Sequence, residues 1–453
     1  MAGQSAKKIL QLIRRFSERF GAIGTSAELH KAALIALAVK IAAAALGFGS
    51  QILLAQILGA QQYGLYSYFW VWIMIGGLVT SFGLGEAAMR FIAEYRDTDR
   101  PGLAWGYIWN ALALTLIVAT SLSALGLGWM AVFHGALPEG YRLLLVLALL
   151  CLPLMALQEL MEGYALSFSW TGLGHIPPYV LRQALIMIFA VGVVFAGMSA
   201  TASTALLCVL MALLVSAGIQ TLLFFRRARS VLPADPVQTA RKQWLKTAFP
   251  MLLASGFQLC LTFSDIILLG LFLDSFAVAL YFAATRITSQ ISAVQFAVLS
   301  AVAQKMASFK ATDNPEALHA LIRNSVQWIF WPTLAITLGI LAIGWPLLWL
   351  FGPEFPAAYS LLPILAAGIL ARASTGGAED VLKMVGHEYA EFRAKGVSTG
   401  LNLALNVCLI PWLGMHGAAL ATTLSLIAYS VMIELAVRRY VGTSSFIGTL
   451  NKI

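Results

Sequence analysis

Twelve apolar runs dominate this chain of 453 residues, each close to the ~20 residues a helix needs to cross ~30 Å of hydrocarbon. They cover 32–57, 65–89, 105–133, 143–164, 176–196, 202–225, 247–272, 276–303, 324–350, 359–383, 394–412 and 417–437. Inside a bilayer, backbone N–H and C=O groups must bond within the protein, so continuous apolar runs of this length fold as helices. A soluble core does not need this much apolar surface: 60% of the residues are hydrophobic and 11% charged, against ~25% charged in soluble chains. The expected fold class is an all-α polytopic membrane protein with twelve transmembrane helices.

The basic residues orient these runs. Of the 29 Lys and Arg, only Arg142 falls in one set of connections. Lys40, Arg182, Arg286 and Arg372 lie within runs, and all the others fall in the alternate set. The positive-inside rule then places both termini in the cytoplasm and favours an even number of spans. The net charge of +9 reports topology and gives no sign of nucleic acid. Lys7, Lys8, Arg14, Arg15 and Arg19 alternate with Ile9, Ile13, Phe16 and Phe20 at helical spacing, the pattern of an amphipathic helix lying on an anionic leaflet. The alternative is a solvated tail. The expected organisation is a cytoplasmic N-terminal segment (1–31), an N-lobe (32–225), a basic linker (226–246), a C-lobe (247–437) and a cytoplasmic tail (438–453).

The two halves read alike. Leu58-Gly-Ala-Gln-Gln-Tyr-Gly-Leu-Tyr66 precedes or opens span two as Leu273-Asp-Ser-Phe-Ala-Val-Ala-Leu-Tyr281 does span eight, at an offset of 215. The same offset carries Arg90 onto Lys305, and Gly197-Met-Ser-Ala200 answers Gly414-Met-His-Gly417 at 217. Six helices per half would relate the lobes by a pseudo-two-fold along the membrane normal, with the substrate path between them.

Charges inside the runs are the candidate functional residues, because a charge at the bilayer centre costs from ~3 to over 10 kcal/mol. Arg286 lies near the midplane of span eight and suits an anion through its guanidinium fork; a structural ion pair is the alternative. Asp265, in span seven, reads as a coupling-ion or proton site, a partner of Arg286, or a helix–helix hydrogen bond. Lys40 is a cavity-facing cation or a snorkelling one. Arg372 and Glu379 flank Gly376-Gly377 and suggest an ion pair at a kink. Glu86 and Arg90 at i,i+4 suggest a surface pair, or a part of a cytoplasmic gate. Glu159, Glu162, Arg182 and Glu434 read as structural or snorkelling, and Asn402 and Asn406 as interhelical hydrogen-bonding groups. Tyr66, Tyr68, Phe69, Trp70 and Trp72 read as an interface belt. The four cysteines read as small core residues.

No phosphate loop, activated nucleophile or metal-ligand spacing stands in the sequence, so no enzyme activity and no cofactor are expected. Short outward connections argue against a membrane glycan polymerase or ligase.

Several stretches resemble a known family. They are Leu53-Leu-Ala-Gln-Ile-Leu-Gly-Ala-Gln-Gln-Tyr-Gly-Leu-Tyr66, Ser81-Phe-Gly-Leu-Gly-Glu-Ala-Ala-Met-Arg90, Asp265-Ile-Ile-Leu-Leu-Gly270 with Ala279 to Arg286, and Leu401 to Asn406 with Ile410 to Gly417. Across roughly 32–437 the chain resembles the oligosaccharide-lipid (O-antigen and exopolysaccharide) flippases. These form the polysaccharide-transporter branch of the multidrug/oligosaccharidyl-lipid/polysaccharide exporter superfamily. The resemblance implies a flippase carrying an undecaprenyl-pyrophosphate-linked oligosaccharide to the periplasmic leaflet of the bacterial inner membrane by alternating access, for lipopolysaccharide or exopolysaccharide synthesis. It implies a lipid-linked oligosaccharide and membrane lipids as partners; with no ATPase motif in the sequence, the energy is expected from an ion gradient (H+ or Na+), the membrane potential or consumption of the substrate on the far side. Substrate contacts are then expected at Arg286, Lys40, Arg372 and Arg90, and ion coupling at Asp265 and Glu379. The rival transporter is a drug/cation antiporter; midplane charges that are mostly cationic favour an anionic cargo instead.

Overall fold

A computed structural model of the protein describes residues 27–133, 139–291 and 315–449. Among them the chain is predominantly helical, and ten helical segments are long and apolar enough to cross a membrane. The first helix, Ala27–Ser81, is broken at Gly59 (φ 72°, ψ 166°), a conformation that glycine reaches and residues with a Cβ resist. The break gives α1 (27–58) and α2 (60–81), and the chain reverses there. Tyr63 Oη donates to Gln51 Oε1 at 3.0 Å, whereas twelve residues of straight helix would span ~18 Å. The order continues with α3 (Leu84–Asp97), α4 (Pro101–Val132), α5 (Glu139–Ser167), α6 (Thr171–Phe195), α7 (Ala202–Val231), α8 (Arg241–Phe272) and α9 (Ser275–Ser289). Then come α10 (Pro315–Trp349), α11 (Leu361–Ala373), α12 (Ala378–Val385), α13 (Glu388–Leu413) and α14 (Met415–Tyr440).

The expected span 276–303 is described only to Ile291, and the N-terminal amphipathic segment and Lys305 lie outside the described residues. The expected span 65–89 is not continuous. Phe82 and Gly83 take positive φ (51° and 67°) between α2 and α3. Glycine is needed at 83 for a second reason: a Cβ there would strike the Ala248 carbonyl and Leu252 backbone of α8.

The turns at 59, 198–201, 273–274, 350–354 and 414 gather on one face. Gln56 Nε2 donates to the Leu350 carbonyl, the Ala202 amide to Gln62 Oε1, and Gly414 lies against Leu273. Caps fix two of these starts. Asp274 accepts from the Ala277 amide at 2.9 Å, and Thr201 and Thr204 form a reciprocal capping box. Gly197 and Gly414, paired by the 217 offset, both take positive φ (66° and 58°). The opposite, basic face carries Arg90 to Arg100, the linker, the start of α13 and the end of α14. There the linker straps onto α4: the Gly102 amide donates to Asp235 Oδ2, Trp105 Nε1 to the Pro233 carbonyl, and the Gln238 amide to the Gly102 carbonyl.

One buried cluster unites α1, α2, α5, α6 and α7 with α8, α9, α11 and α14 near the turn face. A second joins α3, α4, α5 and α7 to Trp244 and Ala248 of α8 near the basic face. Helix α8 therefore has its first turns packed in the first half and the remainder, through Phe263, Ile266 and Leu269, in the shared core. Pro250, between the two, cannot donate to the carbonyl four residues back. All four cysteines are free; Cys151 and Cys208 are buried as expected, whereas Cys408 is exposed on the outside of α13.

Candidate functional site

The side chains of Tyr63, Tyr66 and Trp70 fall on one face of α2 because they are three and four residues apart. All three are buried. Two arginines reach this aromatic column from different halves of the chain. From α9, the Arg286 guanidinium carbon lies 4.3 Å from the Phe282 ring centroid, and Phe282 packs on Tyr63 at 6.0 Å. Tyr63 stacks on Tyr66 at 6.1 Å. From α6, the Arg182 guanidinium carbon lies 5.3 Å from the Trp70 ring. Arg182 Nη1 donates to Gln158 Oε1 at 2.8 Å and meets Met155 Sδ at 3.3 Å, and Gln158 donates in turn to Ser216 Oγ.

Neither arginine makes an ion pair among the described residues. The buried Nε–H of each lacks a hydrogen-bond partner. A buried donor left unsatisfied costs ~1–3 kcal/mol, more when the group is charged. Desolvated cation–π contacts return ~2 kcal/mol each. The column therefore holds two guanidiniums with unused capacity for an anion.

For Arg182 the structure decides between the structural and the snorkelling reading. This arginine is 4% exposed and does not snorkel to the surface. It follows a π-helical turn, Ile176–Leu181, opened by Pro177-Pro178 and packed against α2 and α7. Such turns re-aim side chains and recur at functional sites. The proline pair was the signal available in the sequence.

The interface-belt reading of α2 is also corrected. Tyr66, Phe69 and Trp70 are buried, and only the reverse face, with Trp72 at 44% exposure, looks outward. That reverse face lines an apolar cleft of about 720 Å³ with Tyr68, Trp72, Leu122, Tyr141 and Leu271 and no charged side chain.

Asp265 is 2% exposed and makes no ion pair with Arg286 or any other described residue. Its Oδ2 accepts from Tyr281 Oη of α9 and from Thr422 Oγ1 of α14 (2.9 Å). Its Oδ1 is buried without a partner. Around it stand Ser264, donating to Asn402 Oδ1 at 2.7 Å, and Asn402, donating to Thr422 at 3.4 Å. Asn406 donates to Asn402, and its own Oδ1 is buried and unpartnered. This oxygen-rich cluster, drawn from α8, α9, α13 and α14, has the ligand type that hard cations favour.

Arg372 and Glu379 do pair, at 2.6 Å, across a break where Gly376 and Gly377 take positive φ (54° and 75°). Glu379 Oε2 also accepts from Tyr429 Oη at 2.5 Å. The surface pair expected of Glu86 and Arg90 does not form. Glu86 instead accepts from Ser255 Oγ of α8, because α3 packs directly on α8, and Arg90 is left exposed 5.8 Å over the Phe91 ring. Lys40 lies in α1 with its side chain outside the described residues. Glu162 meets Tyr179 and His175, and Glu434 is held by Arg438, Ser444 and Ser445. Of the five expected site residues whose side chains are described, only Arg372 and Glu379 touch one another.

Comparison with known proteins agrees with this architecture. The family described as polysaccharide biosynthesis protein matches residues 29–303, more than half of the chain. Two relatives come from Haloferax volcanii. The probable low-salt glycan biosynthesis flippase Agl15 is 28% identical over 169 residues, 37% of this chain and 36% of that protein. The probable flippase AglR is 26% identical over 182 residues, 40% and 38% of the two chains. The matched region thus spans under half the length of either relative. Among solved structures, an inward-facing multidrug resistance MATE family transporter of the MOP superfamily superposes with a TM-score of 0.74 at 16% identity, covering 88% of this chain and 94% of that one. The lipid II flippase MurJ, in an inward closed conformation, gives 0.70 at 14% identity, covering 89% and 87%. With its all-helical membrane fold shared with these transporters, the chain belongs to the polysaccharide biosynthesis protein family.

Proposed function

We propose that the protein is a flippase that moves a polyprenyl-pyrophosphate-linked oligosaccharide, of the undecaprenyl type in a bacterial membrane, from the cytoplasmic to the outer leaflet. The observation that carries this reading is the pair of guanidiniums, Arg182 and Arg286, that lie on one aromatic column with no ion-pair partner among the described residues. A pyrophosphate offers the oxygen acceptors their unpartnered N–H groups lack, and the aromatic faces suit sugar rings. The relatives named as flippases support the same reading. Two bundles, 32–225 and 247–437, would rock about this column, with the basic face in the cytoplasm of a plasma membrane. Lys40, Arg372 and Arg90 remain further candidates for substrate contact. Asp265, with its free Oδ1 amid Thr422, Asn402 and Asn406, is our candidate for the H+ or Na+ that drives the cycle; Glu379, already paired twice, has less capacity for it.

The test is flipping in proteoliposomes, scored as the fraction of a fluorescent polyprenyl-pyrophosphate oligosaccharide that reaches an impermeant quencher. Arg286→Gln and Arg182→Gln should each slow flipping about tenfold, the equivalent of one charge-assisted hydrogen bond at ~1.5 kcal/mol, with partial recovery in the Lys variants. Unchanged flipping in the Arg182→Gln/Arg286→Gln double variant sinks the proposal. Asp265→Asn should abolish the response to a Na+ or H+ gradient; a response equal to the parent's removes Asp265 from the coupling role.

A further inference from the structure

We propose that a groove on the basic face, between the first turns of α13 and the last turns of α14, binds an anionic phospholipid. Its phosphate would sit between Arg393 and Arg439, and an acyl chain would lie along the apolar floor beneath. The groove encloses about 370 Å³. Arg393 and Arg439 stand on its rim from neighbouring helices, both exposed, and neither makes an ion pair or a side-chain hydrogen bond among the described residues. Each guanidinium instead lies by a tyrosine, Arg393 6.0 Å from the Tyr389 ring and Arg439 5.7 Å from Tyr440.

Two of the acids close by are already engaged. Glu391 is held by Lys395 at 2.7 Å and Lys383 at 3.7 Å. Glu434 accepts from Arg438 at 2.6 Å and from the Ser445 amide and hydroxyl. The rim therefore carries two arginines with no ion-pair partner among the described residues.

The rim is also prebuilt. His387, in the turn after α12, stacks on Tyr440 with ring centroids 4.3 Å apart, fixing that turn against the end of α14. One helical turn deeper from each arginine, four residues along its helix, the surface becomes apolar. Below Arg393 comes Val397 and below Arg439 comes Leu435, each 59% exposed. Charge above hydrocarbon, on both walls of one groove, matches a phosphate headgroup joined to an acyl chain. Basic pockets between membrane helices on the positive side recognise anionic lipids in this way. A soluble phosphate would use the rim and leave the floor bare.

The experiment uses the full-length protein in detergent, with retention of phosphatidylglycerol and phosphatidylcholine compared by native mass spectrometry. Phosphatidylglycerol should be retained preferentially. Arg393→Gln and Arg439→Gln should each weaken retention about fivefold, which corresponds to ~1 kcal/mol for each basic group at an anionic surface. Both side chains are exposed, so these variants should keep the parent's thermal midpoint. Val397→Trp fills the floor and leaves both arginines; it should lower phosphatidylglycerol retention as well. Equal retention of the two lipids, or parental retention in the double Gln variant, overturns the proposal. Displacement of phosphatidylglycerol by equimolar glycerol 3-phosphate also overturns it, making the groove a site for free phosphate.

Discussion

Arg372 and Glu379 show what a charge pair inside a membrane protein demands. Glu379 is 9% exposed and spends both carboxylate oxygens, one on Arg372 and one on Tyr429. Arg372→Met would leave that carboxylate with a single phenol as partner. Removing one member of a buried pair costs ~3–5 kcal/mol, because the other charge remains uncompensated. Arg372→Met should therefore lower the thermal midpoint sharply, whereas Arg372→Met with Glu379→Gln should restore most of it. A double-mutant cycle read by thermal unfolding in detergent decides the matter. If the two losses simply add, the pair is not the reason both residues are there. Asp265 is the contrasting case at this scale. It is just as buried but has no cation, and Asp265→Asn keeps the hydrogen-bond geometry while removing the charge. That variant should match or exceed the parent's midpoint in the absence of alkali cations. A loss of several degrees instead would show that the carboxylate is needed for folding.

Helices meet where side chains are missing, and α2 on α9 is the clearest case. A Cβ on Gly64 would occupy the position of the Ser275 carbonyl at the start of α9. Gly64→Ala must push the two helices apart at the centre of the largest buried cluster, for a cost of ~1–3 kcal/mol. Gly47, in α1, has nothing within contact distance of a Cβ and is the control, expected to be neutral or slightly stabilising as Ala. Equal midpoints for the two variants would show that the close approach is not maintained in the membrane. The same elements show how far the sequence could be read. The apolar spans were legible because hydrocarbon thickness sets a length, but their ends were not, as the break at Phe82-Gly83 inside 65–89 shows. The connections after 57 and after 272 were legible as gaps between apolar runs, whereas the Gly59 break and the Asp274 cap came from the structure. The glycine pair at 376–377 announced a kink between two charges, and the kink is there. What stayed hidden was the direction in which each charge points around its helix. Periodicity cannot give it when every face is apolar. Arg182 therefore read as either structural or snorkelling, and it is Trp70 and Gln158 that hold it inside. Glu86 read as Arg90's partner, although α8 lies closer. The Asp265 cluster needs four helices to be seen, since Thr422, Asn402 and Tyr281 are separated from Asp265 by 157, 137 and 16 positions.

At the scale of the whole molecule, contacts between the first and second halves of the chain occur at both faces. Near the turn face, Tyr63 packs on Phe282, Phe351 and Phe355, and Gly64 on Ser275. Near the basic face, Glu86 bonds to Ser255 and Trp244 donates to Tyr95 Oη at 2.9 Å. Alternating access requires the turn-face set and the Glu86–Ser255 contact to open in turn, and a covalent tie across either should stop the cycle. The basic-face set is the better place for a tie, because Glu86 and Ser255 already touch and neither belongs to the arginine column. In a variant with its four native cysteines replaced, thiols at Glu86→Cys and Ser255→Cys would be bridged by a short bifunctional thiol reagent. Flipping should fall to the protein-free background on bridging and return on reduction, while either single cysteine treated alike should be unaffected. The helix that carries Ser255 sharpens the expectation. Its first turns sit with α3 and α4, its later turns with α13, and Pro250 weakens the backbone between. If α8 bends at Pro250 during the cycle, a bridge beyond the proline at 255 blocks movement. A second bridge from Tyr95→Cys to Trp244→Cys lies before the proline, within the part that travels with the first half, and should be tolerated. Equal inhibition by both bridges would mean that α8 moves as one rigid rod; full flipping with the bridge at 86 and 255 in place would mean that the basic face never opens there at all.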